Sequence, residues 1–170
     1  IAFEAGKVYV QNKMNRPIVP AELSQDRIVH PKDLASRDFK LVLTNGCYDI
    51  LHPGHVHLIH EAAKYGDKLV VALNSDDSIR RLKGDSRPIN SLEDRLAVIS
   101  ALKDVDFVTV FDEDTPLRLI KDCKPDVLIK GGDYEIANIV GSNITPEVYT
   151  IPLLEGRSTT NIVNKSLQAD

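Results

Sequence analysis

The chain contains five short runs of apolar residues that recur at a steady pace. They cover residues 40–43, 69–73, 107–111, 127–129 and 148–151. Most runs are continuous rather than alternating, as expected for parallel strands that are covered on both faces. Because helical patterns separate the runs, we predict an α/β fold with a doubly wound, parallel five-stranded sheet. Ligands bind such sheets beyond the carboxyl ends of the strands.

Apolar stripes between the runs predict the helices that cover the sheet. Residues 55–65 place an apolar stripe on one face and put His57 and His60 on the opposite, solvated face. Further helices are predicted to begin after Ser91, at Pro116 and after the hydroxyl-rich residues 158–160. Each of these starts follows one of the predicted strands.

Residues 1–37 differ from the rest of the chain. Their three prolines, many polar residues and weak periodicity predict an N-terminal arm or linker, followed by a domain over residues 38–170. The chain begins with Ile1 rather than Met, and we expect it to be processed, trimmed or cut from a longer protein.

Composition and charge exclude several classes of protein. A net charge of -4 provides no basic footprint for nucleic acid. No apolar run reaches the length of a membrane span, and the start of the chain does not resemble a secretory leader. Two cysteines, Cys47 and Cys123, do not make a disulfide framework, so a cytoplasmic protein is expected.

Residues 44–55 read TNGCYDILHPGH and lie where the first predicted strand gives way to a helix. A helix N-terminus offers free backbone N–H groups and a positive dipole end, and Gly54 lets backbone approach a ligand. His52 and His55 can donate hydrogen bonds to phosphate oxygens, as cations when protonated. The segment therefore indicates a polyphosphate site. A chance surface pair and a zinc site are the alternatives, and zinc would need a third ligand nearby.

Basic residues follow the second predicted strand. Four of them, including Lys83, lie within residues 80–87, and we interpret the segment as a mobile loop that closes over a substrate phosphate. A solvated surface loop is the alternative. Arg95 lies at the edge of an apolar stripe, where Arg is rarely buried without a partner. Either an acidic residue such as Asp94 or Asp106 pairs with it, or a ligand phosphate does.

Two glycine-containing segments follow the last two strands. Residues 130–134 read KGGDY, which suits a tight turn or a flat ligand against backbone. Residues 155–161 read EGRSTTN and place three hydroxyls at a helix N-terminus, which suits phosphate, although one hydroxyl would serve as a plain cap. The G-x-G-x-x-G and P-loop patterns are missing from the expected places, which argues against a dinucleotide oxidoreductase and a P-loop enzyme.

Together these segments resemble the nucleotidyltransferase superfamily with a His-x-Gly-His signature, here residues 52–55, and a second signature, here residues 156–160. The lead-in at residues 45–52 is similar to the cytidylyltransferase-like branch. Residues 82–90, 111–116 and 125–134 resemble the adenylyltransferase domain of the bacterial bifunctional ADP-heptose synthesis enzyme. The resemblance covers about residues 38–167 and implies a Rossmann-like nucleotidyltransferase fold.

The resemblance also implies a reaction. ATP and D-glycero-β-D-manno-heptose 1-phosphate would give ADP-heptose, a precursor of lipopolysaccharide and other surface glycans, and pyrophosphate, with Mg²⁺ as cofactor. The sugar phosphate would attack the α-phosphorus in line, without a covalent enzyme intermediate. A homodimer is implied, together with a sugar kinase that is either fused to this domain or separate.

Site residues are carried over from the resemblance by their motifs. The implied catalytic residues, which hold the α-, β- and γ-phosphates, are His52, His55, Lys83 and Arg95. The implied nucleotide-binding residues are Asn45, Gly46, Cys47, Gly54, Gly131, Asp133, Ser158, Thr159 and Thr160. The implied substrate-binding residues are Asp49, which orients the sugar phosphate or the metal ion, and Tyr134. No protein site for a resident metal is expected.

Two other functions share these signatures. A CTP-dependent cytidylyltransferase acting on a polyol phosphate such as glycerol 3-phosphate would carry both motifs, and the base pocket would distinguish it. A non-catalytic nucleotide-binding module would bind nucleotide without releasing pyrophosphate. A metal-dependent hydrolase is disfavoured, because the sequence has no cluster of acidic or histidine ligands.

Overall fold

A computed structural model describes residues 2–4, 7–9 and 25–167. Two short strands, β1 (Ala2–Glu4) and β2 (Lys7–Tyr9), pair antiparallel. The main sheet has five parallel strands, which are β3 (Leu41–Gly46), β4 (Lys68–Asn74), β5 (Phe107–Phe111), β6 (Val127–Gly131) and β7 (Glu147–Ile151). Their order across the sheet is β5-β4-β3-β6-β7. The predicted five-stranded parallel sheet is therefore confirmed.

Within the described residues, five α-helices connect and follow these strands. They are α1 (Pro53–Ala62), α2 (Asp76–Lys83), α3 (Leu92–Ser100), α4 (Leu117–Cys123) and α5 (Thr159–Leu167). Short 3₁₀ turns lie at Gln25–Arg27, Pro31–Leu34, Ala63–Tyr65 and Ile136–Asn138. Helices α1 and α3 share one apolar cluster with Val127 and Ile129 of β6, whereas α4 shares another with Leu128. Because side chains alternate along a strand, the two clusters lie on opposite faces of a doubly wound sheet.

The segment after β4 corrects one prediction. The sequence indicated a mobile basic loop over residues 80–88, but residues up to Lys83 belong to α2. The Ser75 hydroxyl accepts a hydrogen bond from the Ser78 N–H and caps the helix, while Ile79 is buried beneath it. Arg81 makes an ion pair of 2.9 Å with Asp114. A capped helix with a buried anchor is a fixed element, so only the residues after Lys83 form a loop.

Residues 25–37, which the sequence assigned to the N-terminal arm, pack against the sheet. Ile28 is buried and bridges to Val108 of β5. The Arg27 guanidinium donates hydrogen bonds of 2.9 and 3.0 Å to the carbonyls of Ser100 and Val105. These residues therefore contact the α/β domain, while the domain boundary itself stays a prediction. The remainder of the predicted arm, apart from β1 and β2, lies outside the described residues.

The connections reverse direction at β3, the central strand. The chain proceeds from β3 to β4 and β5 on one side, and then returns to place β6 and β7 on the other. At such a reversal, the carboxyl ends of the two neighbouring strands, here β3 and β6, bound a crevice that can receive a ligand. None of the helices described combines the length and the apolar character needed to cross a bilayer.

Candidate active site

Residues 47–55, here called the histidine turn, connect β3 to α1. Tyr48 is buried and has a φ of +48°, a left-handed conformation that costs a non-glycine residue free energy. Helix α1 begins at Pro53, which suits a first turn because its missing N–H would have no helical partner. His52 is the N-cap residue, yet its side chain makes no capping hydrogen bond. The His52 imidazole is therefore not used for capping and is available for other contacts at this helix N-terminus.

The two imidazole rings of the turn lie against each other. The ring centroids of His52 and His55 are 3.7 Å apart, and the ring planes differ by 22°. A Cβ atom at Gly54 would lie 3.0 Å from the His52 Cε1 and Nδ1 atoms, so a side chain there would displace the ring. Both Nδ1 atoms are buried without a hydrogen-bond partner among the described residues. Buried polar atoms of this kind usually have a partner, which indicates a site for a hydrogen-bonding ligand.

The pKa values of both histidines are lowered, which favours the neutral rings. Burial, reinforced by the neighbouring His52 ring and the charge of Lys83, lowers the pKa of His55 to about 4, although a hydrogen bond to the Ile50 backbone opposes the shift. Burial and the charge of Arg157 also lower the pKa of His52. A neutral imidazole still donates one N–H. An anionic ligand would raise both pKa values, because an opposite charge favours the protonated ring.

The start of α5 adjoins the histidine turn. The Thr159 hydroxyl donates a 3.4 Å hydrogen bond to the Ile50 carbonyl, and the Cβ of Arg157 lies 3.4 Å from a Cβ built at Gly54. Ser158 serves as a cap, because its hydroxyl accepts a 3.1 Å hydrogen bond from the N–H of the third residue after it. Thr160 is exposed. The structure therefore brings the predicted hydroxyl segment to the histidines, with one hydroxyl of the three engaged in capping.

Asp49 does not stand open to a sugar phosphate or a metal ion. Its side chain is 1% exposed, and its carboxylate accepts hydrogen bonds of 2.6 Å from Arg87 Nε and 2.9 Å from the N–H groups of Ile89 and Asn90. Burial would raise the pKa of this carboxyl, but these donors outweigh burial and hold its pKa below the usual value. The prediction of a substrate-orienting carboxylate is corrected. Asp49 anchors residues 87–90 to the histidine turn.

Arg95 is likewise bonded within the protein. Its side chain is 0% exposed and forms a 2.7 Å ion pair with Asp76, whereas Asp94 and Asp106 were the partners considered from sequence. The guanidinium also donates 2.8 and 2.9 Å hydrogen bonds to the carbonyls of Cys47 and Asn74. The prediction that Arg95 holds a phosphate is corrected, because the group is enclosed and its donors are used. Arg95 fixes the carboxyl ends of β3 and β4.

The remaining predicted residues lie along the same edge. Lys83 ends α2, is exposed, and its charge acts on His55. The backbone residues Asn45 and Gly46 end β3, and Gly131 ends β6. Asp133 and Tyr134 follow β6 and are exposed. The sequence missed the structural partners Arg87 and Asp76, and it did not single out Arg157, which adjoins the histidine turn. Arg157 was detectable, since it lies inside the hydroxyl segment.

Comparison with protein families identifies this arrangement. The family model described as cytidylyltransferase-like matches residues 43–163, a span that includes the histidine turn and the start of α5. The chain belongs to the cytidylyltransferase-like family. This membership confirms the prediction of an enzyme of the nucleotidyltransferase class.

Curated relatives sharpen the relationship. The chain is 56% identical over 144 residues to the bifunctional protein HldE of Wolinella succinogenes, an alignment that covers 84% of this chain and 30% of that protein. It is also 56% identical over 125 residues to the bifunctional protein HldE of Campylobacter fetus subsp. fetus, which covers 74% of this chain and 27% of that protein. The chain thus spans less than a third of these relatives, and the predicted resemblance to one domain of a bifunctional enzyme is confirmed.

Solved structures share the fold. A lipopolysaccharide core biosynthesis protein from Thermoplasma volcanium superposes with a TM-score of 0.59 at 33% identity, covering 69% of this chain and 100% of that one. Pantoate-beta-alanine ligase from Francisella tularensis superposes with a TM-score of 0.54 at 17% identity, covering 84% of this chain and 79% of that one. At such low identity the second similarity concerns the fold alone.

Proposed function

We propose that this chain is an adenylyltransferase that joins ATP to D-glycero-β-D-manno-heptose 1-phosphate and releases pyrophosphate. The observation that carries the proposal is the stacked pair of His52 and His55, whose buried Nδ1 atoms lack partners at the N-terminus of α1. The choice of substrates is supported by the 56% identity to bifunctional protein HldE.

The proposed reaction is a direct displacement. An oxygen of the sugar phosphate forms a bond to the α-phosphorus, and the bond to the bridging oxygen breaks, so that pyrophosphate leaves with the electron pair. The protein supplies position and charge stabilisation and no nucleophile. His52 and His55 donate hydrogen bonds to the α- and β-phosphates, and their protonation becomes more favourable once the polyphosphate is bound.

The leaving group needs further donors, and the start of α5 supplies them in this proposal. Arg157 adjoins His52, while the exposed hydroxyl of Thr160 lies in the first turn of the helix. Lys83 approaches from the end of α2, and its charge already acts on His55. These groups can neutralise the negative charge that develops on pyrophosphate as it departs.

The residues of the site fit an Mg²⁺ ion that is bound by the triphosphate rather than by a protein carboxylate. Both oxygens of Asp49, the carboxylate implied for a metal role, are bonded within the protein. Mg²⁺ commonly keeps several waters and binds substrate phosphates rather than a protein cage. When bound, it would neutralise charge on the triphosphate.

The wider setting is part of the proposal. Free thiols at Cys47 and Cys123 suit the reducing cytoplasm, where ATP is present. The relatives are bifunctional and much longer than this chain, which supports a companion sugar kinase in the same or a separate polypeptide. A homodimer is expected from the resemblance, and sedimentation velocity would test it. ADP-heptose would then supply lipopolysaccharide or other surface glycans.

A CTP-dependent polyol-phosphate cytidylyltransferase is the second candidate, because the matching family model is cytidylyltransferase-like. The test is pyrophosphate release with ATP or CTP, each combined with heptose 1-phosphate or glycerol 3-phosphate in the presence of Mg²⁺. Release with ATP and heptose 1-phosphate alone supports the proposal. Release with CTP and glycerol 3-phosphate replaces it with the second candidate, and absence of release in every pairing contradicts both.

A further inference from the structure

Lys130 lies at the carboxyl end of β6, next to the central strand. In this register Ile129 pairs with Thr44 of β3, and Lys130 pairs with Thr150 of β7. Ile129 packs in the apolar cluster that contains α1, whereas Leu128 packs in the opposite cluster. Because side chains alternate along a strand, Lys130 shares the Leu128 face. It therefore reaches the crevice from the face opposite α1.

The Lys130 ammonium is half-buried without an opposing carboxylate. Its Nζ atom lies 5.8 Å from the centroid of the Tyr134 ring, and it forms no ion pair with the described acidic residues. Burial lowers the pKa of Lys130, and the neighbouring Cys47 opposes this shift only in part. A partly desolvated cation without an anion is unfavourable, so such a group usually serves a ligand.

Two arginines at this edge of the sheet have carboxylate partners. Arg87 pairs with Asp49 at 2.6 Å, and Arg95 pairs with Asp76 at 2.7 Å. Carboxylates are therefore within reach of neighbouring cations, yet none is directed to Lys130. This contrast separates Lys130 from the cations that hold the framework together.

Other polar residues lie on the same face of the sheet as Lys130. Asn45 and Asn74 lie two residues beyond Leu43 and Ala72, which pack with Leu128 in the same cluster. The Cys47 sulfur lies 3.9 Å from the Asn74 side-chain oxygen. The Asn74 amide also donates a 3.0 Å hydrogen bond to the Ser78 hydroxyl, so it holds this end of the sheet. The ammonium ion of Lys130 and the amide of Asn45 are groups that suit a phosphate and sugar hydroxyls.

The geometry of displacement connects this face of the sheet to the reaction. In-line attack requires the incoming oxygen and the departing pyrophosphate to lie on opposite sides of the α-phosphorus. The histidines and α1 occupy one face of the crevice, where the proposed leaving group is held, and Lys130 occupies the other. We infer that Lys130 binds the phosphate of the acceptor and places it for attack. This inference rests on the proposed nucleotidyl transfer but not on the identity of the sugar.

Lys130→Met tests the inference because it preserves the length of the side chain and removes its charge. The Michaelis constant for heptose 1-phosphate should rise about tenfold to a hundredfold, whereas that for ATP should change less than about threefold. Lys130→Arg should recover most of the affinity. Lys121→Met, the same change at an exposed position on α4, should leave both constants as in the wild type.

A binding experiment separates this inference from the choice of substrates. The 170-residue protein is saturated with α,β-methylene-ATP or α,β-methylene-CTP, and heptose 1-phosphate or glycerol 3-phosphate is titrated calorimetrically. Whichever acceptor the wild type binds, Lys130→Met should weaken its binding about tenfold or more without changing affinity for the nucleotide analogue. Binding of glycerol 3-phosphate alone contradicts the proposed substrates while the Lys130 inference stands. Weaker nucleotide binding, unchanged acceptor binding, or no acceptor binding by the wild type overturns it.

Discussion

Two groups of polar residues lie at the carboxyl edge of the sheet, and they differ in whether the protein satisfies them. The framework group consists of Asp49, Arg87, Asp76 and Arg95, which bond to one another or to backbone. The open group consists of His52, His55, Lys83 and Lys130. In the part of the chain that the structure describes, the two histidines have buried nitrogens without partners and the two lysines have no carboxylate partner. Residues of similar chemistry thus have two roles, one in holding the turn and one in meeting a ligand.

The framework group explains why the open group can stay in place. Asp49 joins the histidine turn to residues 87–90, and Arg95 joins α3 to the ends of β3 and β4. The turn is therefore held from both sides without any use of the Nδ1 atoms of the two histidines. Substitutions in the two groups should have separable effects, with stability lost in one and activity lost in the other.

Arg95→Met should produce the largest loss of stability. It leaves the Asp76 carboxylate and two buried carbonyls without their donor, and loss of one partner of a buried pair costs about 3 kcal/mol of unfolding free energy. Urea denaturation measures this loss. Arg118→Met, at an exposed position with only a 3.8 Å ion pair, should remain within about 0.5 kcal/mol of the wild type. If the Arg95→Met protein has normal stability but lacks activity, Arg95 belongs to the open group, whose residues meet a ligand.

His55→Ala should give the opposite pattern. Removing a donor that stabilises transition-state charge should lower kcat about a hundredfold or more. Its stability should not fall by the amount expected for Arg95→Met, since the lost Nδ1 atom has no protein partner. Pyrophosphate release and urea denaturation of the same preparation test both halves. His60→Ala, at an exposed position near the end of α1, should keep kcat within about twofold. Near wild-type turnover in His55→Ala would falsify the assigned role.

Asp49→Asn distinguishes a framework carboxylate from a metal ligand. The variant keeps one carbonyl acceptor but loses charge-assisted bonds from Arg87 and backbone, which should cost about 2 kcal/mol of unfolding free energy. The Mg²⁺ concentration that gives half-maximal activity should not change. If that concentration rises strongly while stability is retained, Asp49 belongs with the ligand-binding residues.

The pH dependence of stability offers the smallest expected effect. An unfolded histidine binds a proton near its ordinary pKa of 6.5, whereas folded His55 does so only near pH 4. The unfolded state thus holds more protons between these values, so the unfolding free energy rises with pH across this window. For a ring partly open to solvent we expect about 1 kcal/mol between pH 5 and pH 7. His55→Gln should reduce this slope, and an unchanged slope would contradict the environment of His55.

The fold was predictable because its signals are local. Continuous apolar runs predicted all five strands of the main sheet, although β3 extends to Gly46, since Asn45 and Gly46 still pair with Ala72 and Leu73. Helix α2 also had local signals, namely the Ser75 cap and acidic residues in the first turn, but the basic residues after them suggested a loop. The Ser75 cap and the acidic first turn predict this helix, but the basic residues were given more weight.

The site was predictable only in part. The histidine pair and the hydroxyl segment share recognisable motifs, and the structure brings them together through Thr159 and Ile50. The partners of Asp49 and Arg95 were not predictable, because Arg87 and Asp76 become neighbours only when the strand ends converge. Lys130 was inconspicuous for a related reason. Its lack of a carboxylate is a property of its surroundings, which one sequence does not display.

The anchor formed by Asp49 also has a mechanical consequence. Residues 87–90 are tied to the histidine turn, so the two must move as one body. Helix α2 is a second fixed body, because it is capped by Ser75 and anchored by buried Ile79. Residues 84–86 join the two bodies, and Gly84 begins this link with a φ of +92° and no atom within 4 Å of an added Cβ. Any movement of one body relative to the other therefore has to be taken up in these three residues.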